Sequence, residues 1–215
     1  MTLRALTRYH LALLVRSQRW LPPGLAYLVV LGLGLSAGDN ASSAAAFSAG
    51  LLVPVTGWLV RGAVGAEPAQ SRACLVAAAG WARVHLSALL AAALAGLALG
   101  ALGLLAVLLL GSRVSGPMAA GGGLATLVCA LSGAAVGAVC NRPVVAGAYA
   151  VPLGLGGVVA VLLVPGSPAN AVVRTLVLGA RQQGPGLRWW TLPAAAALAA
   201  GCCWAAVAAA VRRGD

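Results

Sequence analysis

Six long apolar stretches, separated by short polar or Gly/Pro-rich breaks, make up most of the chain: residues 21–37, 41–60, 86–110, 119–139, 144–164 and 192–211. A helix needs about 20 mostly apolar residues to cross roughly 30 Å of hydrocarbon, and each stretch is near that length. Runs this long, rich in Ala and Leu, exceed a membrane strand and are read as helices. Gly38-Asp39-Asn40 predicts a tight turn joining the first two into a hairpin, Gly111 to Pro117 a loop after the third, and Asn141-Arg142-Pro143 a break after the fourth. The expected fold is an all-α polytopic membrane protein, one transmembrane domain over residues 1–215 with six transmembrane helices.

The segments between the spans carry the charge. On a helical wheel of residues 2–19, Arg4, Arg8, Arg16 and Arg19 occupy one arc, while Leu3, Leu6, Leu13 and Leu14 lie opposite, together with His10. The segment reads as a basic amphipathic helix lying in the membrane plane, its arginines on anionic headgroups and Trp20 at the interface, or more simply as a positively charged flank. These arginines are spread out rather than preceding one short apolar core, so no cleavable signal peptide is expected. Sorting all 14 arginines by segment puts ten on the side of the N-terminus and four on the other, so both termini are expected in the cytoplasm.

Two connecting segments look structured. In 61–85, Pro68 suits a helix start, Leu75, Ala78, Ala79 and Ala82 form an apolar stripe, and Glu67 and Arg72 are expected to face the cytosol. This segment is either a docking element for a cytoplasmic protein or a helical linker. In 165–190, Ser167 as N-cap and Pro168 as first residue predict a helix to about Gln182, with Arg174 and Arg181 on one face, before Gly184-Pro185-Gly186 stops it and Trp189-Trp190 mark re-entry. It reads as an outer gate over a pathway or as an ordinary re-entry loop.

Composition narrows the chemistry. The chain is 61% hydrophobic and 8% charged, against about 45–50% and about 25% in soluble domains. Its acids are Asp39, Glu67 and Asp215 alone, too few for paired-carboxylate catalysis or a carboxylate metal cage. The cysteines Cys74, Cys129, Cys140, Cys202 and Cys203 form no C-x-x-C pair and are read as small apolar residues. His10 and His85 precede the serines of the later spans, so an intramembrane Ser nucleophile followed by a His is missing; His10 itself is read as packed or solvated. With no lysine there is no phosphate-binding loop of the G-x-x-x-x-G-K-[ST] type, so the chain is not expected to hydrolyse ATP alone. Without a nucleotide-binding or catalytic constellation it is expected to be no enzyme and to bind no cofactor, and no nucleic-acid partner is expected. Gly34/Gly38, Gly96/Gly100 and Gly133/Gly137 match G-x-x-x-G, but 29 glycines produce about that many pairs by chance, so they do not indicate a dimer seam.

Taken together, RYHLALLVRSQRWLPP at the start, EPAQSRACLVAAAGWARVHLSALL in the first inner loop and PGSPANAVVR before the last span give the whole chain an architecture that resembles the membrane subunits of ATP-binding-cassette (ABC) exporters of the type-2 permease family. The resemblance implies that residues 2–19 are the elbow helix and that about Ala66 to Val84 include a coupling helix seated on a separate cytoplasmic ATPase, with Glu67, Gln70, Arg72 and Arg83 as the coupling residues. It also implies a second permease subunit, identical or not, and ATP and Mg held only by the partner. The short break at Asn141 to Pro143 departs from the family pattern and limits a second ATPase contact. Independently of the resemblance, an ion-coupled carrier needs a membrane-embedded acid, and Asp39 and Glu67 lie in loops while Asp215 is terminal, so energy is expected from outside the chain. The alternative is a non-transporting accessory or immunity protein that binds a peptide or lipid. A lipid-headgroup enzyme is disfavoured because acids and histidines are not expected to meet at one depth. Arginine without lysine, beside so much Ala and Gly, reads as the codon bias of a GC-rich bacterial genome and places the chain in a bacterial inner membrane.

Overall fold

The computed structural model describes residues 2–141, 144–145, 149–182 and 188–213. Within them the chain forms helices and no strand: α1 (Leu3–Arg16), α2 (Leu21–Gly34), α3 (Ala41–Val64), α4 (Ala69–Ala79), α5 (Trp81–Leu110), α6 (Gly116–Val139), α7 (Ala150–Leu163), α8 (Pro168–Gln182) and α9 (Thr191–Arg213). Side-chain caps set several starts. Thr2 accepts from the Ala5 amide, Asn40 from Ser42, Ser115 from Met118 and Ser167 from Asn170, each satisfying an amide that the helix itself leaves unpaired. The predicted Ser167-Pro168 start of α8 is therefore as expected. Arg142 and Pro143 of the expected break, Gly184-Pro185-Gly186 and Asp215 lie outside the described residues.

Four helices, α3, α5, α6 and α9, are long and apolar enough to cross a membrane, or five if the bent pair α7 and α8 makes one crossing. Two of the six expected spans are shorter than hydropathy suggests. The stretch 21–37 yields only the 14 residues of α2, about 21 Å, because Leu35 turns extended. The chain then closes through Ser36, whose amide bonds the Asp39 carboxylate at 2.7 Å, and Gly38 at φ +90°. Among the described residues, the stretch 144–164 contributes the 14 residues of α7. After it, Gly166 at φ +95° redirects the chain by 47° into α8.

Helix α8 is not a surface segment. Its stripe of Ala169, Val172 and Leu176 is buried in the main core, against α3 and α6, while Arg174 on another face is exposed. A helix with one apolar stripe buries that stripe wherever a groove is open to it, and here the groove lies between the two central helices. Asn170 ties α8 back to α7 by donating to the Leu162 carbonyl at 2.6 Å. The side chain of Arg181 lies outside the described part of the structure.

The centre of the bundle is α3 packed on α6, the most extensive contact in the fold, with α5 packed on both. The glycine pairs act inside the chain: a Cβ at Gly133 would stand 2.5 Å from the Val53 carbonyl oxygen, one at Gly137 2.9 Å from that of Gly57, and one at Gly96 2.6 Å from the Thr56 hydroxyl. Small residues let the backbones approach, which is how apolar helices associate where lipid removes the hydrophobic drive. Beside them, Tyr27 of α2 reaches Ser48 of α3 by a buried 2.8 Å hydrogen bond over Gly103 of α5. Tyr27→Phe leaves Ser48 buried without that partner and is expected to cost about 0.5–1.5 kcal/mol, read as a lowered unfolding midpoint of purified protein.

The two ends of the bundle are each knit by hydrogen bonds. At one end the α2–α3 and α5–α6 turns pair: Ala41 donates to Ser112 at 3.0 Å, Ser112 to Asp39 at 2.7 Å, and the Asn40 side chain to Ala180 at the end of α8. The opposite end holds α1, the α3–α4 connection and the start of α5.

Candidate functional site

The α1 end carries the densest polar chemistry in the described structure. Helix α1 buries Leu6, Thr7, His10 and Leu14 along one face, chiefly against α5. Its leucines therefore contact protein where the sequence suggested lipid. Leu13 is half-buried, Leu3 is exposed, and Arg4, Arg8 and Arg16 project outward. Trp20 is half-buried with its ring over Gly24.

Helix α3 ends at Val64, and four residues separate it from α4. In that short connection Glu67 turns inward, only 7% exposed, where the sequence placed it facing the cytosol. The physical reason is a ready-made set of partners. The Tyr9 hydroxyl donates to Glu67 Oε1 at 3.2 Å, and His10 Nε2 lies 3.7 Å from Oε2, an ion pair when the imidazole is protonated. Burial, then the charge of Glu67, then their hydrogen bond push the Tyr9 phenol above its ordinary pKa, so it remains a neutral donor.

His10 in turn meets Ser87 of α5, its Nδ1 3.1 Å from the hydroxyl oxygen and 3.0 Å from the Leu6 carbonyl. Acids and histidines thus do meet at one depth, contrary to the expectation from the sequence, and Ser87, His10 and Glu67 stand in the order of a Ser-His-acid triad. Hydrogen accounting separates this arrangement from a nucleophile. A carbonyl oxygen only accepts, so Nδ1 carries the proton that Leu6 receives, and it cannot take one from Ser87. Ser87 donates instead to the Val84 carbonyl at 2.8 Å, and it has no exposed surface. The group is a clasp joining α1, the α3–α4 connection and α5.

Two arginines brace the clasp. Arg19, read from the sequence as a membrane anchor, donates to the Gly65 carbonyl, and Arg72 is half-buried and donates to the Val64 carbonyl at 3.0 Å. Both bonds cap carbonyls at the C-terminal end of α3, where cationic groups are also favoured by the helix dipole. Of the four expected coupling residues, Gln70 and Arg83 are exposed, Arg72 is tethered and Glu67 is internal. Helix α4 has no buried residue among those described and presents Ala73, Cys74, Ala77 and Ala78 outward. It lies on the end of the bundle as an unburied bracket between two long spans.

The sequence contained one sign of the clasp. His10 falls on the apolar face of α1, and a polar ring buried there requires hydrogen-bond partners. Nothing in the spacing identified Glu67 and Ser87 as those partners, since they lie 57 and 77 residues away. Among the described residues, no group of three His, Cys, Asp or Glu is placed to hold a metal ion. No family model, curated protein or solved structure matches the chain.

Proposed function

We propose that this chain is the permease subunit of an ABC exporter, working with a separate cytoplasmic ATPase and a second permease subunit to move a hydrophobic or amphipathic substrate across a bacterial inner membrane. The observation that carries the reading is α4: a helix between two membrane-length helices, unburied on its outer face, yet fastened at its root by Glu67 and Arg72 to the rest of the α1 end. A partner pulling on such a bracket moves α3 and α5 together. In this reading α1 is the elbow helix, α2 is a short crossing that the bilayer meets by local thinning, and α7 with α8 is one broken crossing, which makes six passes. The ATPase binds ATP and Mg; the membrane chain contributes leverage.

Cys74 provides the test, because it is exposed on α4 while the other four cysteines are buried or half-buried. Membrane vesicles containing the chain, with and without a candidate ABC ATPase, are treated with a membrane-impermeant maleimide. Cys74 is expected to be labelled from the cytoplasmic side and protected when the ATPase is bound, and Gln70→Ala with Arg83→Ala is expected to weaken copurification of the two by about tenfold, the effect of losing roughly 1.4 kcal/mol of binding. Labelling that is unaffected by any ATPase, together with intact export in those variants, would instead favour a non-transporting accessory protein.

A further inference from the structure

Beyond transport, we infer that the chain holds one acidic phospholipid in a cleft between α3, α6 and α7 at the α1 end, with an acyl chain inside the cleft and the phosphate on Arg61. The cleft has a volume of about 420 Å³, within the range of about 300–1,000 Å³ typical of ligand sites. Pro54, Gly57 and Trp58 of α3, Gly137 of α6 with Cys140 just past its end, and α7 from Ala150 to Val158 line it. Among the described residues, Arg61 is the one charged residue lining it.

The room exists for two reasons. Gly154 contributes no side chain, and a Cβ there would find only Cys140, at 3.8 Å. Helix α7 packs sparsely on the bundle and buries Ala150 alone. Arg61 stands one turn before the end of α3, exposed, and makes no side-chain hydrogen bond or ion pair among the described residues. An apolar slot with a free guanidinium near the end of a membrane-length helix matches a molecule with an apolar tail and an anionic head. Phosphate suits the guanidinium because its oxygens accept the planar fork of N–H donors. Trp58, half-exposed one turn away, sits where an indole favours the boundary between acyl chains and headgroups.

The test is native mass spectrometry of the purified full-length chain, delipidated and then offered mixed micelles with equal phosphatidylglycerol and phosphatidylcholine of identical acyl chains. One phosphatidylglycerol per chain is expected, preferred about fivefold, the effect of one basic side chain on an anionic headgroup. Arg61→Ala should bring the two lipids to parity, Arg61→Lys should keep most of the preference, and Gly154→Leu should displace both by filling the cleft. Arg16→Ala, which changes an exposed arginine on α1, should retain the lipid. The inference is overturned if Arg61→Ala keeps the preference, if Arg16→Ala loses it equally, if both lipids bind the unaltered chain alike, or if Gly154→Leu retains lipid or changes only the oligomeric state, which would mean that a second copy covers the cleft.

Discussion

Gly133→Val is expected to destabilise the detergent-purified protein by about 3 kcal/mol or more, whereas Gly123→Val, ten residues earlier on the same helix, is expected to change little. At Gly133 the first added carbon would stand 2.5 Å from the Val53 carbonyl oxygen, 3.0 Å from the Val53 Cα and 3.1 Å from the Thr56 Cβ. Two of these are backbone atoms in the middle of α3 and cannot turn aside, so α3 and α6 must separate. At Gly123 no atom lies within 4 Å. The helix propensity change is the same at both sites and cancels in the comparison. For a chain of this size 3 kcal/mol corresponds to a fall of about 6–12 °C in Tm, measurable by differential scanning fluorimetry. Gly137→Val should behave like Gly133→Val, since its added carbon meets Gly57 oxygen and Cα at 2.9 and 3.0 Å. Equal melting of the Gly123 and Gly133 variants would show that the α3–α6 approach does not hold the bundle together.

That contrast also marks what a sequence of this kind reveals. Composition and run length were enough for the helices, because nothing but a helix satisfies the backbone over such apolar stretches in lipid. Length along the run was not enough for the spans. Hydropathy averages over Leu35 as readily as over its neighbours, yet Leu35 lies in the extended region, and the hydrogen-bond ladder of α2 stops there. The glycine pairs were as frequent as chance allows, so counting could not reveal that Gly133 and Gly137 receive α3; a packing motif is identified by what lies opposite it. The α8 start was legible because Ser167-Pro168 is a local signal, while its burial was not, because the groove between α3 and α6 is built by residues more than 30 positions away. Glu67 shows the same limit at the site. A lone acid beside a proline in a polar loop reads as solvated, and only the fold brings Tyr9 and His10 to it.

The largest effect outside the packed centre is expected at Glu67. Glu67→Ala removes the acceptor of Tyr9 and, where the imidazole is protonated, the counter-charge of His10; breaking such a buried pair from one side costs about 3–5 kcal/mol, because the remaining group stays desolvated. Tyr9 is 38% exposed and can turn to water, so the lower figure applies. The loss falls on the contact between α1 and the α3–α4 connection rather than on the α3–α6 core, so the bundle should remain folded while α1 loosens. Hydrogen exchange of the α1 amides is then expected to accelerate by about a hundredfold, the equivalent of roughly 3 kcal/mol, with the amides of α6 unchanged. Glu67→Gln keeps an acceptor for Tyr9 and loses only the charge facing His10, so it should fall between Glu67→Ala and the unaltered chain. If α4 is the lever of an ATPase, Glu67→Ala should also let the ATPase bind and hydrolyse ATP while export falls about tenfold or more, since the bracket moves without carrying α1. Unchanged exchange in α1 would remove the clasp from the account; loosened α1 with full export would keep the clasp and remove its part in coupling.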